Sequence, residues 1–121
     1  IGVPMHGLFL DDSVEAAELI SKTFPQLRTR LMDEKRGGAD VLPVLLSKAC
    51  GLKKLAEHWG IPLEETAAIG DSMNDIEMVR EAGTGIAMGN AVSGLKKAAD
   101  YVTADIGADG LKKAFAYLGL L

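Results

Sequence analysis

Three short apolar runs, TAAIG (66–70), GIAM (85–88) and YVT (101–103), are separated by segments patterned as helices. That rhythm constrains the fold more than any other feature of the chain. A run of three to five residues that must cross a helix before the next run cannot form a hairpin, so the strands are expected to lie parallel with the helices as crossovers. The expected helices are 48–59, about 74–82, AVSGLKKAAD (91–100) and DGLKKAFAYLGLL (109–121). In the first, Leu52, Leu55, Ala56 and Trp59 fall at i, i+3, i+4 and i+7, predicting its buried face, and Gly60 with Pro62 beyond it marks the C-terminus.

The first third reads differently. MHGLFL (5–10) predicts a buried strand, and DDSVEAAELISKTF a helix capped by Asp12 or Ser13 and stopped by Pro25. QLRTRLM (26–32) alternates as a half-exposed strand does, DEKRGGAD reads as a loop, and VLPVLL (41–46) resumes extended structure, with Pro43 at an edge or a strand end. A boundary is expected near residues 44–47, giving an α+β piece at 1–44 and a parallel α/β piece at 45–121.

In parallel sheets ligands gather beyond the carboxyl ends of the strands. AAIGDSMND (67–75) ends a strand in Gly70 and then places Asp71, Asn74 and Asp75 within five positions. Asp71 and Asp75 lie one turn apart and can face one small volume, and paired carboxylates with waters suit Mg²⁺. Asn74 can hold a metal-bound water or a neighbouring carboxylate. Helix capping is the competing explanation, because Ser72 followed by Asp75 also has the form of a capping box. Lys48 opens its helix, where the macrodipole disfavours a cation, so it reads either as a counter-charge for a phosphate or carboxylate cluster or as a solvated lysine. Gly89 and Asn90 make another turn after another strand, on the same edge as Asp71.

Composition narrows the function. Thirteen basic and seventeen acidic residues give a charge of −4 with no long block of either sign, which argues against nucleic acid or an anionic membrane as partner. The single cysteine, Cys50, excludes an intrachain disulfide and fits the cytoplasm. The longest apolar stretch, VLPVLL, is far short of the roughly 20 residues of a membrane helix. Neither a Walker A loop nor a dinucleotide fingerprint occurs, and His6, His58 and Cys50 have no zinc spacing.

Taken as one string, SKACGLKKLAEHWGIPLEETAAIGDSMNDIEMVREAGTGIAMGNA resembles the C-terminal half of the haloacid dehalogenase superfamily, in particular the Cof-like phosphatases. The signature is a lysine opening a helix, GDxxND after the next strand, and AMGNA after the one following. The resemblance is strong over 45–121 and loose over 1–44. It implies an α/β fold: the C-terminal half of a Rossmann-like parallel three-layer core (45–121), preceded by a remnant of an α+β cap domain (1–44). It further implies catalytic roles for Lys48, Asn74 and Asp75, substrate phosphate contacts from Lys48 and Asn90, and Mg²⁺ held by Asp71 and Asp75. The implied substrate is a phosphorylated small molecule, attacked by an aspartate to give an aspartyl-phosphate that water hydrolyses.

The sequence also departs from that family. The nucleophile motif D-x-D-x-T is absent, FLDDS (9–13) having adjacent aspartates, and the Ser or Thr motif ahead of the cap is missing too. Lys48-Ala49 stands where the family runs Lys-Gly. With Ile1 in place of an initiator Met, the expectation is a C-terminal fragment, inactive alone, whose partner is the N-terminal half of the same protein. The alternative is a non-catalytic metal- or phosphate-binding module, or an interaction domain that needs another chain.

Overall fold

The computed structural model describes residues 13–31 and 39–121. The described residues divide between Leu46 and Ser47 into two compact units. The strand expected at 5–10, and Asp12 as a cap, lie outside the described residues.

In the first unit α1 (Ser13–Thr23) precedes β1 (Leu27–Leu31) and β2 (Ala39–Pro43), which pair antiparallel with Leu27 opposite Pro43 and Leu31 opposite Ala39. The second strand is displaced from the expected 41–46: it begins at Ala39 and stops at Pro43, with a turn following. Pro43 has no N–H to give a ladder, so the strand ends there. Ala17 of α1 is buried, and the Thr29 hydroxyl of β1 donates to the Ala17 carbonyl at 3.1 Å.

The second unit alternates as the sequence predicts. It contains α2 (Lys48–Trp59), β3 (Ala67–Gly70), α3 (Ile76–Glu81), β4 (Thr84–Ala87), α4 (Ser93–Ala98), β5 (Tyr101–Val102) and α5 (Gly110–Tyr117). The strands form a parallel sheet in the order β3-β4-β5, with Ala67 beside Thr84 and Ile86 beside Tyr101. Central β4 is buried from Gly85 to Ala87, as the middle strand of a covered parallel sheet must be. Ala68, Val79, Ala87, Met88, Ala91 and Leu95 form its core, and burying Leu95 completely contributes about 2 kcal/mol.

Two expectations need correction. The buried line of α2 runs through Ala49 and Ala56, while Leu55 and Trp59 are 51% and 65% exposed. α2 packs against α3, and the small Ala49 and Ala56 are its buried residues while the larger side chains stay outside. The helix expected at 74–82 begins instead as a 3₁₀ turn, Met73–Asp75, and becomes α-helical only at Ile76. Among the described residues, no helix is long and apolar enough to cross a membrane.

Candidate active site at the carboxyl edge of the sheet

The site is assembled from three turns. The first lies after β3. Gly70 is the last residue of that strand, and a Cβ there would come within 2.5 Å of the Asp75 Cβ. Only glycine lets the Asp75 side chain fold back beneath the strand end. Asp75 Oδ2 then accepts hydrogen bonds from the backbone N–H of Asp71 (3.0 Å) and of Ser72 (3.1 Å). The capping box expected from Ser72 and Asp75 is therefore present.

Lys48 comes from α2. The Ser47 hydroxyl caps that helix by accepting from the Cys50 N–H, and the lysine that follows reaches the β3 turn. Its ammonium lies 2.5 Å from Asp75 Oδ1 and 3.3 Å from Asn74 Oδ1. The Lys48 side chain is 49% exposed while that of Asp75 is 6% exposed, so the pair is buried at the carboxylate and open at the ammonium. A cation disfavoured by its own helix start is thus compensated by a partner 27 positions along the chain.

The second turn follows β4. The Met88 N–H donates to the Gly70 carbonyl and the Val92 N–H to the Asp71 carbonyl, tying this turn to the first. Asn90 belongs to it, and Asn90 Oδ1 accepts from the Ile106 N–H at 2.9 Å in the third turn, after β5. Because that N–H can only donate, the atom facing it is the amide oxygen, and the Asn90 NH₂ is left as a donor. A Cβ at Gly89 would meet the Asp105 backbone nitrogen at 2.4 Å, so glycine permits the contact between the two turns.

One pocket of about 380 Å³ is lined by Lys48, Asp71, Asp75 and Asn90 together with Gly70, Met88, Ile106 and Leu111. Asn74 supports Lys48 but does not line it. Sequence reasoning missed Ile106 and Leu111. The available signal was position, since both follow β5 at the same sheet edge as Asp71.

The two carboxylates differ in duty. Burial pushes the Asp75 carboxyl up, but the Lys48 hydrogen bond, the N–H groups of Asp71 and Ser72 and the Lys48 charge outweigh it, and the group lies below its ordinary value of 3.8. A depressed carboxyl stabilises the fold at pH above the unfolded value, and that contribution is lost as pH falls through the folded value. In metal-free buffer the denaturant midpoint should therefore fall between about pH 5 and pH 2, and Asp75→Asn should flatten that portion of the curve. Asp71, by contrast, is exposed, and among the described residues its carboxylate makes no hydrogen bond or ion pair.

These donors accommodate a hard divalent cation as a partial set. Asp71 offers an uncommitted carboxylate facing the pocket, whereas Asp75 Oδ2 is filled by N–H donors and suits contact through water. Among the described residues no three His, Cys, Asp or Glu side chains cluster to hold a metal. A cation that retains several waters and takes one or two carboxylates fits this arrangement better than one needing a closed protein cage.

Comparison with known proteins gives a consistent picture. A family model described as haloacid dehalogenase-like hydrolase matches residues 4–115. A phosphoglycolate phosphatase of Methanosarcina acetivorans is 39% identical over 108 residues, covering 89% of this chain and 47% of that protein. The 5-amino-6-(5-phospho-D-ribitylamino)uracil phosphatase YcsE of Bacillus subtilis is 33% identical over 111 residues, covering 92% and 45%. Among solved structures, a HAD subclass IIB sugar phosphatase superposes with a TM-score of 0.81 at 38% identity, covering 90% of this chain and 41% of that one. The chain thus spans a little under half the length of these relatives.

Proposed function

Since the chain belongs to the haloacid dehalogenase-like hydrolase family, we propose that it is the lysine-and-metal portion of a Mg²⁺-dependent phosphatase acting on phosphorylated small molecules. The observation that carries this reading is the convergence of Lys48, Asp71, Asp75 and Asn90, from three separate segments, on one pocket. In this reading residues 47–121 belong to the catalytic core and the first unit to a cap. The nucleophilic aspartate lies outside these 121 residues, in the N-terminal half of the same protein. The single reduced cysteine suits a cytoplasmic location.

The residues divide the work. The half-exposed Lys48 ammonium offsets charge on the transferred phosphoryl oxygens and on the attacking carboxylate. Asp75 and Asn74 hold that ammonium in place, and the backbone N–H groups of Asp71 and Ser72 hold Asp75. The Asn90 NH₂ is oriented by its bond to Ile106 and donates to a phosphoryl oxygen. Asp71, with its uncommitted carboxylate, and Asp75 are the residues that would hold the metal. Bound Mg²⁺ supplies Lewis-acid neutralisation of the phosphoryl group.

The test is p-nitrophenyl phosphate hydrolysis by the full-length protein that carries this sequence. Activity should require Mg²⁺, disappear with a chelator and return when Mg²⁺ is restored. Full activity in chelator, or a folded full-length protein inactive on a panel of phosphate monoesters, would reject the reading.

A further inference from the structure

Two apolar residues of the loop after β5 line the pocket beside its charged groups, and phosphoryl transfer itself gives them no task. Ile106 and Leu111 are 67% and 46% exposed there, whereas Met88, which also lines the pocket, is buried. The loop that carries them is fastened on several sides. The Gly89 N–H donates to the Ala104 carbonyl at 3.0 Å, and the N–H groups of Ala108 and Gly110 donate to the Asp105 carbonyl at 2.9 and 3.0 Å. The buried Thr103 hydroxyl donates to the Gly110 carbonyl at 2.7 Å. Asp109 closes the turn at φ 57°, a left-handed conformation that residues with side chains adopt infrequently. So held, Ile106 and Leu111 stay at the pocket and do not sink into the core, where apolar side chains gain most.

The same loop meets the group that faces the phosphate. The Ile106 N–H donates to Asn90 Oδ1 at 2.9 Å, which leaves the Asn90 NH₂ for a phosphoryl oxygen. One hydrogen bond thus couples the place of the phosphate to the place of Ile106. The pocket, about 380 Å³, lies within the range of small-molecule sites, roughly 300–1,000 Å³, and has room for more than a phosphoryl group.

We propose that Ile106, with Leu111 beside it, is a specificity-determining residue that selects phosphate monoesters whose leaving group turns an uncharged, apolar face to it. The inference rests on the phosphatase reading and deepens it by naming a substrate class. A leaving group with hydroxyls on that face would give up water without gaining a partner, since neither side chain donates or accepts a hydrogen bond. A second anionic group would fare worse. Among the described residues that line the pocket Lys48 is the only cation, and Asp75 and the phosphate already share it.

The test compares kcat/KM of the full-length protein, in Mg²⁺, for n-propyl phosphate and glycerol 1-phosphate, whose leaving groups share one carbon chain and differ in their hydroxyls. Wild type should favour the propyl ester by about tenfold, Ile106→Val should keep that preference, and Ile106→Asn should reduce it to about twofold or less. Because Ile106 is exposed and its backbone N–H survives substitution, the unfolding midpoint should not move. A second readout needs no turnover: propylphosphonate should bind about tenfold more tightly than methylphosphonate to wild type, and about equally to Ile106→Asn. No propyl preference in wild type, or one that Ile106→Asn leaves intact, would overturn the inference. If neither ester is hydrolysed, the phosphatase reading is what fails, and the phosphonate affinities decide alone. A propyl preference lost in Ile106→Asn then sustains Ile106 as the apolar contact of a phosphate-bearing ligand, and equal affinities in wild type overturn it.

Discussion

Lys48→Ala in the full-length protein should lower kcat by about a thousandfold, the scale of losing one charged donor aimed at developing charge. The argument is geometric. The ammonium is anchored on one side by Asp75 Oδ1 at 2.5 Å and is open on the other, toward the pocket. Binding of the ground state uses that charge less than the transition state does, so kcat should fall more than KM rises. Stability should fall by only about 1–2 kcal/mol, because the Lys48 side chain is half exposed and Asp75 keeps its two backbone N–H partners. Lys48→Arg should not rescue, since the planar guanidinium is larger and directs several N–H groups where the ammonium occupies a point. Steady-state kinetics with a parallel unfolding curve measure both effects.

Asp71→Ala is expected to separate activity from stability more sharply still. The Asp71 carboxylate is exposed and has no hydrogen bond or ion pair among the described residues. Its removal should change the unfolding free energy by no more than about 0.5 kcal/mol. The same change removes the one carboxylate in the pocket with no structural duty, so Mg²⁺ affinity should fall by about a hundredfold, and kcat at fixed Mg²⁺ with it. A residue that matters to activity and not to stability is what a ligand-binding role predicts. Helix capping, which accounts for Ser72 and Asp75, predicts neither effect for Asp71.

How much of this was legible in the sequence varies by level. The order of elements from α2 to α5 followed from period and punctuation, because short apolar runs and helical spacing are local signals. The 3₁₀ entry at Met73–Asp75 was not legible, since an i→i+3 bond and an i→i+4 bond leave almost the same residue pattern. On α2 the expected face is half right, Ala56 being buried and Leu52 half-buried, and the misplaced half has a similar cause. Hydrophobicity points to Leu55 and Trp59, whereas the buried residues of the helix that packs on α3 are Ala49 and Ala56, and size complementarity between helices leaves no periodic trace.

At the site, GDSMND could be read as a metal site or as a cap, and the structure shows the capping box and the uncommitted carboxylate in the same turn. Asp75 caps and also holds Lys48, while Asp71 does neither. The pairing of Lys48 with Asp75 crosses a helix and a strand, so its place at a helix start suggested a counter-charge for a phosphate or carboxylate cluster without saying which carboxylate. Asn90 was placed at the correct sheet edge, but its bond to Ile106, which fixes which end of the amide meets the pocket, depends on a loop that carries no motif.

The most direct test of the central claim is a Mg²⁺ titration of p-nitrophenyl phosphate hydrolysis by the full-length protein and its Asp71→Ala variant, with unfolding curves for both. The account predicts saturable Mg²⁺ activation in wild type, and a folded, equally stable variant whose activation is lost or displaced by about a hundredfold in Mg²⁺. Superimposable activation curves would contradict it, and would leave the turn after β3 as a helix cap.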